Sequence, residues 1–495
     1  MHTKESRLSK FILILGVTCA FSYAFFLQFR FPAFCDPDSY YHAAVSNFIK
    51  NYGLHYPFPW VQFSTFKDSF SDKEVLFHIL NLPFFYFFNN LVRAAKFAFL
   101  FQVALFILAY VFILKRYLPA YLAAVFLLLP FSSSIFMAFL LQLRPATLGN
   151  VFILLGIYFL IRKNLTGVFA VSLLYSLAHI SFFTIIIFAF FCEALRRIFN
   201  KEFFAKNIYF SLSGVALGCL MHPNFPHNLF SLYLNGFLVP IYTISGRNLG
   251  FGGEVRPFDT RFTFIGNHAF FLSLPVLFWA ALLARRKVSF DTFVWLACAG
   301  VYLFLAIFGN RYWYQSNLLF FVFIASLLKD WSQEEGWVKF MQKFKFPVIF
   351  YLLTVFLSLG PGLKQLNGFL EFFCVRNLQF ETMGKWMGKN IPPGETIYHS
   401  YWANSPYFIC FNPKDNYINV LDPIYMFYRY PREFDLLNEL SLGRVDRPYQ
   451  AIRKVFKARY GYVNKFEPLY RQLNDYPLDC KVIYEDSEGV IFKLN

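Results

Sequence analysis

Long apolar runs separated by short basic turns dominate the chain. After Lys4, Arg7 and Lys10, the stretch from Phe11 to Phe29 carries no charge and stops at Arg30. Further apolar runs occupy 97–114, 118–141, 146–161, 166–195, 207–221, 263–284, 289–308, 313–328 and 347–362. A helix needs about 20 mostly apolar residues to cross the hydrocarbon core of a bilayer, so these runs read as membrane spans. The first begins like a signal peptide, but no small-residue cleavage site follows it, and it is read as an uncleaved span.

Lys and Arg mark the cytoplasmic turns of membrane proteins. Five basic clusters separate the runs: Lys115 and Arg116, Arg162 and Lys163, Arg196 to Lys206, Arg285 to Lys287, and Lys329 to Lys345. Placing all of them with the N-terminus in the cytoplasm decides two ambiguous segments. Leu76 to Phe88 is short, and a crossing there would expel Lys115 and Arg116, so it belongs to an outer loop or the interface. Leu165 to Ala194 must cross twice, with a break at His179, Ile180 and Ser181. The expected architecture is a polytopic α-helical membrane protein of about 11 spans, with a C-terminal soluble α/β domain on the outer face.

Two units follow: a transmembrane domain, 1–362, with outer loops 30–91 and 222–262, and an extracytoplasmic domain, 363–495. The second shows short alternating runs at Glu395 to Tyr398, Tyr417 to Leu421, Lys481 to Tyr484 and Gly489 to Lys493. A helical pattern around Gln450 to Tyr460 lies among them, so it reads as a small mixed α/β domain.

Composition agrees with a bilayer as solvent. Hydrophobic residues make up 57% of the 495 residues, the mean hydropathy is +0.44 and only 15% are charged, against about 25% in soluble domains. An ordinary soluble protein is excluded. The net charge of +17 would suggest a nucleic-acid partner in a soluble chain, but most of the excess lies in the cytoplasmic clusters. It is therefore a mark of orientation, and no nucleic acid is expected. The eight cysteines include no CxxC pair. Cys35, Cys374, Cys410 and Cys480 would face an oxidising compartment; one disulfide is open to them, with unpaired thiols the favoured expectation.

The chemistry-bearing residues gather on the outer face. Asp36-Pro37-Asp38-Ser39-Tyr40-Tyr41-His42 follows the first span, and two carboxylates at a membrane surface suit Mg²⁺ or Mn²⁺ beside a phosphate leaving group. The same residues also read as a turn in which Asp38 caps the next helix. Glu254 stands in Gly252-Gly253-Glu254-Val255-Arg256-Pro257, late in a long loop, where a lone Glu is ordinarily just solvated. Arg311 sits among aromatics at an outer span end; its fixed fork suits bidentate phosphate binding, as it equally suits a membrane anchor. Arg144 precedes Pro145 in a short outer turn. His222 and His227 follow a span, and His179 marks the break; polar helix ends describe them better than metal ligands. No Walker loop, GxGxxG, GxSxG or HExxH is present, so ATP-driven transport and serine hydrolysis have no support.

In their order these motifs resemble the GT-C glycosyltransferases, most closely the catalytic subunit of oligosaccharyltransferase. Asp38-Ser39-Tyr40-Tyr41-His42, with Asp36 completing a DxD, is similar to that family's motif after the first span, and Phe58-Pro59-Trp60 to its aromatic outer-loop stretch. The paired short spans after Arg162, Glu254 before a later span and Arg311 at a span start match in position. Ser400-Tyr401-Trp402-Ala403-Asn404 resembles a degraded form of its Trp-Trp-Asp motif. The chain departs from the pattern twice: the second acidic motif is replaced by a turn bearing Arg144, and Ala403 stands where a sequon-recognising Asp would be. The second departure argues against Asn-X-Ser/Thr glycosylation.

The resemblance implies sugar transfer from a polyprenyl-phosphate or pyrophosphate donor to an unidentified protein, lipid or glycan acceptor on the outer face. Asp38, Asp36 and Glu254 would be catalytic and would hold a divalent cation, Mg²⁺ or Mn²⁺, a requirement weakened by the missing acidic motif. Arg311, Arg144, Arg256, His222, His42 and Trp402 would bind substrate. A bacterial or archaeal plasma membrane is expected, ahead of the endoplasmic reticulum. Two other readings stay open: a carrier or flippase for a lipid-linked anionic sugar, and a non-catalytic scaffold derived from the same fold.

Overall fold

The computed structural model describes residues 6–246, 249–256, 259–284, 288–332, 345–473, 475–476 and 478–495. The expected basic cluster 285–287 and most of 329–345 lie outside them, as does Lys4.

Helix α1 (Arg7–Arg30) leads into α2 (Pro37–Tyr52), α3 (Val75–Phe87) and α4 (Leu91–Leu114). By length and composition α1 and α4 can each cross a bilayer. The run 118–141, expected as one span, is two helices, α5 (Ala120–Ser132) and α6 (Ser134–Leu140), bent by 84°. Pro130 ends the first, and Ser133 caps the second by accepting from the Phe136 N–H. If this pair is one span, three such crossings are present among the described residues. The shorter apolar helices include α7 (Ala146–Ile161) and α8 (Leu165–Ala178).

The break foreseen near His179 is real. α8 stops, His179 is extended, a 3₁₀ turn covers Ile180–Phe183, and α9 (Thr184–Asn200) restarts the helix. α10 (Lys206–Met221) then packs on α8 through two glycines. A Cβ on Gly214 would stand 2.5 Å from the Phe169 carbonyl oxygen, and one on Gly218 would stand 2.7 Å from that of Leu173. Only small residues permit so close a backbone approach. After α11 (Thr260–Gly266) and α12 (His268–Ala284) come α13 (Phe290–Ala306) and α14 (Trp313–Ser332).

The basic turns meet at one end of this bundle. Arg162 pairs with Asp291 at 3.0 Å, Tyr117 hydrogen-bonds Asp291 and Trp295, and Asp330 accepts from the Ser289 backbone. Large apolar side chains such as Ile14, Leu108, Phe304 and Phe356 remain exposed on the helix surfaces, as helices that face lipid require.

The apolar run at 347–362 does not end there. One helix, α15 (Lys345–Asn390), continues through it into the C-terminal region. Its downstream sheet has order β2-β1-β3-β5-β4, with β1 Thr396–His399, β2 Asn416–Tyr417, β3 Tyr460–Asn464, β4 Cys480–Glu485 and β5 Gly489–Leu494. The central strand β3 was not foreseen: the helical pattern expected to reach Tyr460 stops at Val455. β3 is buried at all five positions, so it lacks the polar alternation by which a half-exposed strand is recognised.

The segment between α2 and α3 completes this sheet. Val61 forms a parallel bridge to Tyr417, and the Trp60 indole donates to the Pro413 carbonyl while stacking on Phe48 at 4.0 Å. Cys35 and Cys374 are joined in a disulfide, where unpaired thiols were expected. The disulfide thus ties α15 to the turn that precedes α2.

Candidate active site

α2 begins at an Asp-Pro turn because Asp36 caps it, accepting from the Ser39 N–H at 3.0 Å, with Pro37 in the first helical position. The cap is Asp36, where the sequence had suggested Asp38. The preceding residues are tightly held. The Phe34 N–H donates to the Tyr40 hydroxyl, its carbonyl accepts from the Asn377 amide, and Cys35 is bonded to Cys374.

The turn between α6 and α7 lies against this cap. The Leu143 N–H donates to Ser39 Oγ at 2.9 Å, which sets the position of the next residue, Arg144. Its guanidinium meets three carboxylates, each through a different nitrogen. Nε lies 3.2 Å from Asp36 Oδ2, Nη2 lies 3.0 Å from Asp38 Oδ2, and Nη1 pairs with Glu254 Oε2.

Glu254 reaches the cluster from a 3₁₀ turn, Gly253–Val255. That turn is held in part by the Arg256 carbonyl, which accepts from the Asn310 N–H at 3.2 Å, and by the Trp402 indole, which donates to the Gly250 carbonyl at 2.9 Å. Arg311 lies beside Tyr312, close enough for its charge to act on Glu254.

Asp36, Asp38, Arg144 and Glu254 open onto a cavity of about 370 Å³. Asp36, Asp38, Arg144 and Glu254 form its polar end, together with Trp402, Asp422 and Arg376. Ile135, Phe139, Phe262, Leu366 and Phe369 make an apolar wall.

The carboxylates are electrostatically unequal. Burial pushes Asp38 up to about 7 against the pull of Arg144, and the charges of Glu254, Asp36 and Asp422 add to the push. Burial also favours neutral Glu254, but Arg144 and Arg311 outweigh it and hold this carboxyl below its ordinary value.

Four expected residues, His42, His222, Arg256 and Arg311, do not line the cavity. His42 Nδ1 contacts His78 Nε2 at 2.9 Å, and His78 Nδ1 contacts Asp72 at 2.8 Å, a buried chain that ties α2 to α3. His222 donates through Nε2 to the Asp72 carbonyl and accepts from the Asn224 N–H. Arg376, paired with Glu488 at 2.6 Å, and Asp422, 3.7 Å from Lys73, enter the site without any motif to announce them.

Comparison with known proteins bears on the fold. No protein-family model and no curated protein matches the sequence. Solved structures do. An oligosaccharyltransferase of Archaeoglobus fulgidus in the apo form superposes with a TM-score of 0.65 at 12% identity, over 93% of this chain and 70% of that one. ArnT from Cupriavidus metallidurans bound to undecaprenyl phosphate superposes with a TM-score of 0.60 at 12% identity, over 97% of each chain.

The fold is that of the GT-C glycosyltransferases.

The oligosaccharyltransferase has also been solved tethered to an acceptor peptide containing the NVT sequon, and that form covers 92% of this chain at a TM-score of 0.61. The GT-C fold raises the question of a metal ion. Among the described residues no cluster of His, Cys, Asp or Glu is arranged to hold one. A hard cation needs about six oxygens near 2.0–2.6 Å from one point, and the oxygens of Asp36, Asp38 and Glu254 converge on the Arg144 guanidinium. The donor set present does not fit a metal ion.

Proposed function

We propose that the protein is a membrane glycosyltransferase that moves a sugar from a polyprenyl-phosphate-linked donor to an acceptor on the outer face. The observation that carries this reading is a single cavity joining an Arg-carboxylate cluster to an apolar wall, within a GT-C fold. A donor of this class has the same two-part chemistry. Its prenyl chain suits Ile135, Phe139, Phe262 and Leu366, while its phosphate suits Arg144.

The chemistry is a direct displacement. An acceptor hydroxyl attacks the anomeric carbon, the bond from that carbon to the phosphate oxygen breaks, and its electron pair leaves with the phosphate. Asp38, whose carboxyl titrates near neutrality, takes the acceptor proton as general base. The guanidinium of Arg144 is placed to steady the departing charge. Displacement from the opposite side inverts the anomeric centre.

The Cys35–Cys374 disulfide supports the orientation, because such bonds persist on the oxidising side of a membrane. Asp36 adjoins that bond, so the site belongs to the same side. With Ala403 in the cavity wall, no carboxylate at that position is offered to the hydroxyl of a sequon, and the acceptor is of another kind.

Undecaprenyl phosphate is the direct probe. Saturable binding to the purified protein, weakened at least tenfold by Arg144→Ala, supports the reading. Binding no tighter than that of a phosphatidic acid control overturns it.

A further inference from the structure

We propose that Arg144 replaces a divalent cation in this site, so that the carboxylates of Asp36, Asp38 and Glu254 serve as an anchor for an internal guanidinium and bind neither Mg²⁺ nor Mn²⁺. The inference rests on the glycosyl-transfer reading for its purpose, but its geometry stands apart from that reading.

Three features carry it. First, the guanidinium uses Nε, Nη1 and Nη2 on three separate carboxylates, so its planar fork fills the point where a cation would sit. Second, both oxygens of Asp36 are already engaged in holding the helix cap. Its Oδ2 also accepts from the Ser39 N–H, and its Oδ1 accepts from Ser39 Oγ at 2.5 Å. Third, Arg144 is held by construction. The Ser39 hydroxyl that donates to Asp36 accepts from the Leu143 N–H at 2.9 Å, so a single side chain locks the cap of α2 to the backbone beside Arg144.

The substitution is chemically sensible. An arginine stays protonated at every physiological pH and offers its donors in a fixed fork matched to phosphate. Each terminal nitrogen has a second N–H beyond the one on its carboxylate, and the side chain lines the cavity. One guanidinium can therefore be held by acidic residues and still receive phosphate oxygens, as a coordinated metal ion does. It carries one positive charge where a divalent ion carries two.

The test measures metal binding and needs neither sugar nor acceptor, so its outcome is independent of whether glycosyl transfer is found. Chelator-washed protein is titrated with Mn²⁺, and free Mn²⁺ is followed by electron paramagnetic resonance. The wild type is expected to take up no stoichiometric Mn²⁺ and to show no shift of its melting midpoint in millimolar Mg²⁺. Arg144→Ala frees the oxygens and should gain stoichiometric Mn²⁺, lost again when Asp38→Asn is added. Stoichiometric Mn²⁺ on the wild type that Asp38→Asn or Glu254→Gln releases overturns the proposal. So does a folded Arg144→Ala protein that gains none. If that variant is not recovered folded, the wild-type titration decides alone.

Discussion

Arg144 Nη2 stands 3.0 Å from Asp38 Oδ2, and the pair joins the turn before α7 to the first turn of α2. Asp38 would be held low by that contact alone, yet its burial and three further acidic neighbours win, leaving it near neutrality.

The activity of the wild type should therefore rise with pH along a limb centred near 7, as Asp38 loses its proton and becomes a competent base. Asp422→Asn removes a negative neighbour and should move the limb to lower pH; Arg144→Ala should move it higher. Stability runs the other way. The folded chain keeps a proton that the unfolded chain releases near 4, so this group's contribution falls as pH rises from about 4 to about 7. Melting midpoints measured across that range should show a slope that Asp38→Asn reduces.

Trp402 is a positioning residue for the Glu254 turn through its hydrogen bond to the Gly250 carbonyl. Trp402→Phe keeps an aromatic side chain and loses the indole donor, a change of about 0.5–1.5 kcal/mol, so kcat/KM should fall about 2- to 10-fold, mainly through KM. Trp402→Ala should also speed proteolytic cleavage within 245–256. Unchanged KM and unchanged cleavage would place the indole outside the working of the loop.

Reduction of Cys35–Cys374, or Cys374→Ser, should lower stability by about 2–4 kcal/mol, the usual worth of a disulfide closing a long loop. The melting midpoint with and without reductant measures it. A thiol-alkylating probe that cannot cross membranes should label the reduced pair from outside intact cells.

Gly214 is a packing prediction far from the site. A methyl group there meets the Phe169 carbonyl at 2.5 Å, so Gly214→Ala should push α8 and α10 apart at a cost of about 1–3 kcal/mol. Gly300, whose added Cβ meets nothing within 4 Å, is the control, and its Ala variant should melt near the wild type.

The helices were largely visible in the sequence because their signal is local: apolar length and basic turns. The break at His179 was expected because keeping Arg162 and Arg196 on one side asked Leu165 to Ala194 to cross twice; the structure shows the break. Non-local facts escaped. Pro130 marks a local break inside the run read as one span, but the size of the bend, 84°, is not written there, and Cys35 and Cys374 lie 339 residues apart. At the site, Asp36, Asp38 and Glu254 were singled out by motif, and Arg144 was noted as a departure from one. What the sequence did not show is that this departure stands among all three carboxylates. Arg376 and Asp422 reach the cavity only through the C-terminal fold, and no spacing along the chain records that.

The central claim is sugar transfer at the cavity, with Asp38 as its base. Membrane vesicles prepared from cells carrying wild type or Asp38→Asn should be extracted and their lipid-linked sugars and glycosylated products measured, with the leaflet of the donor read by an impermeant sugar-oxidising reagent. The account predicts that Asp38→Asn abolishes product and leaves the donor accumulated on the outer leaflet. Product formation that survives Asp38→Asn contradicts it, and donor trapped on the cytoplasmic leaflet would show a carrier in place of a transferase.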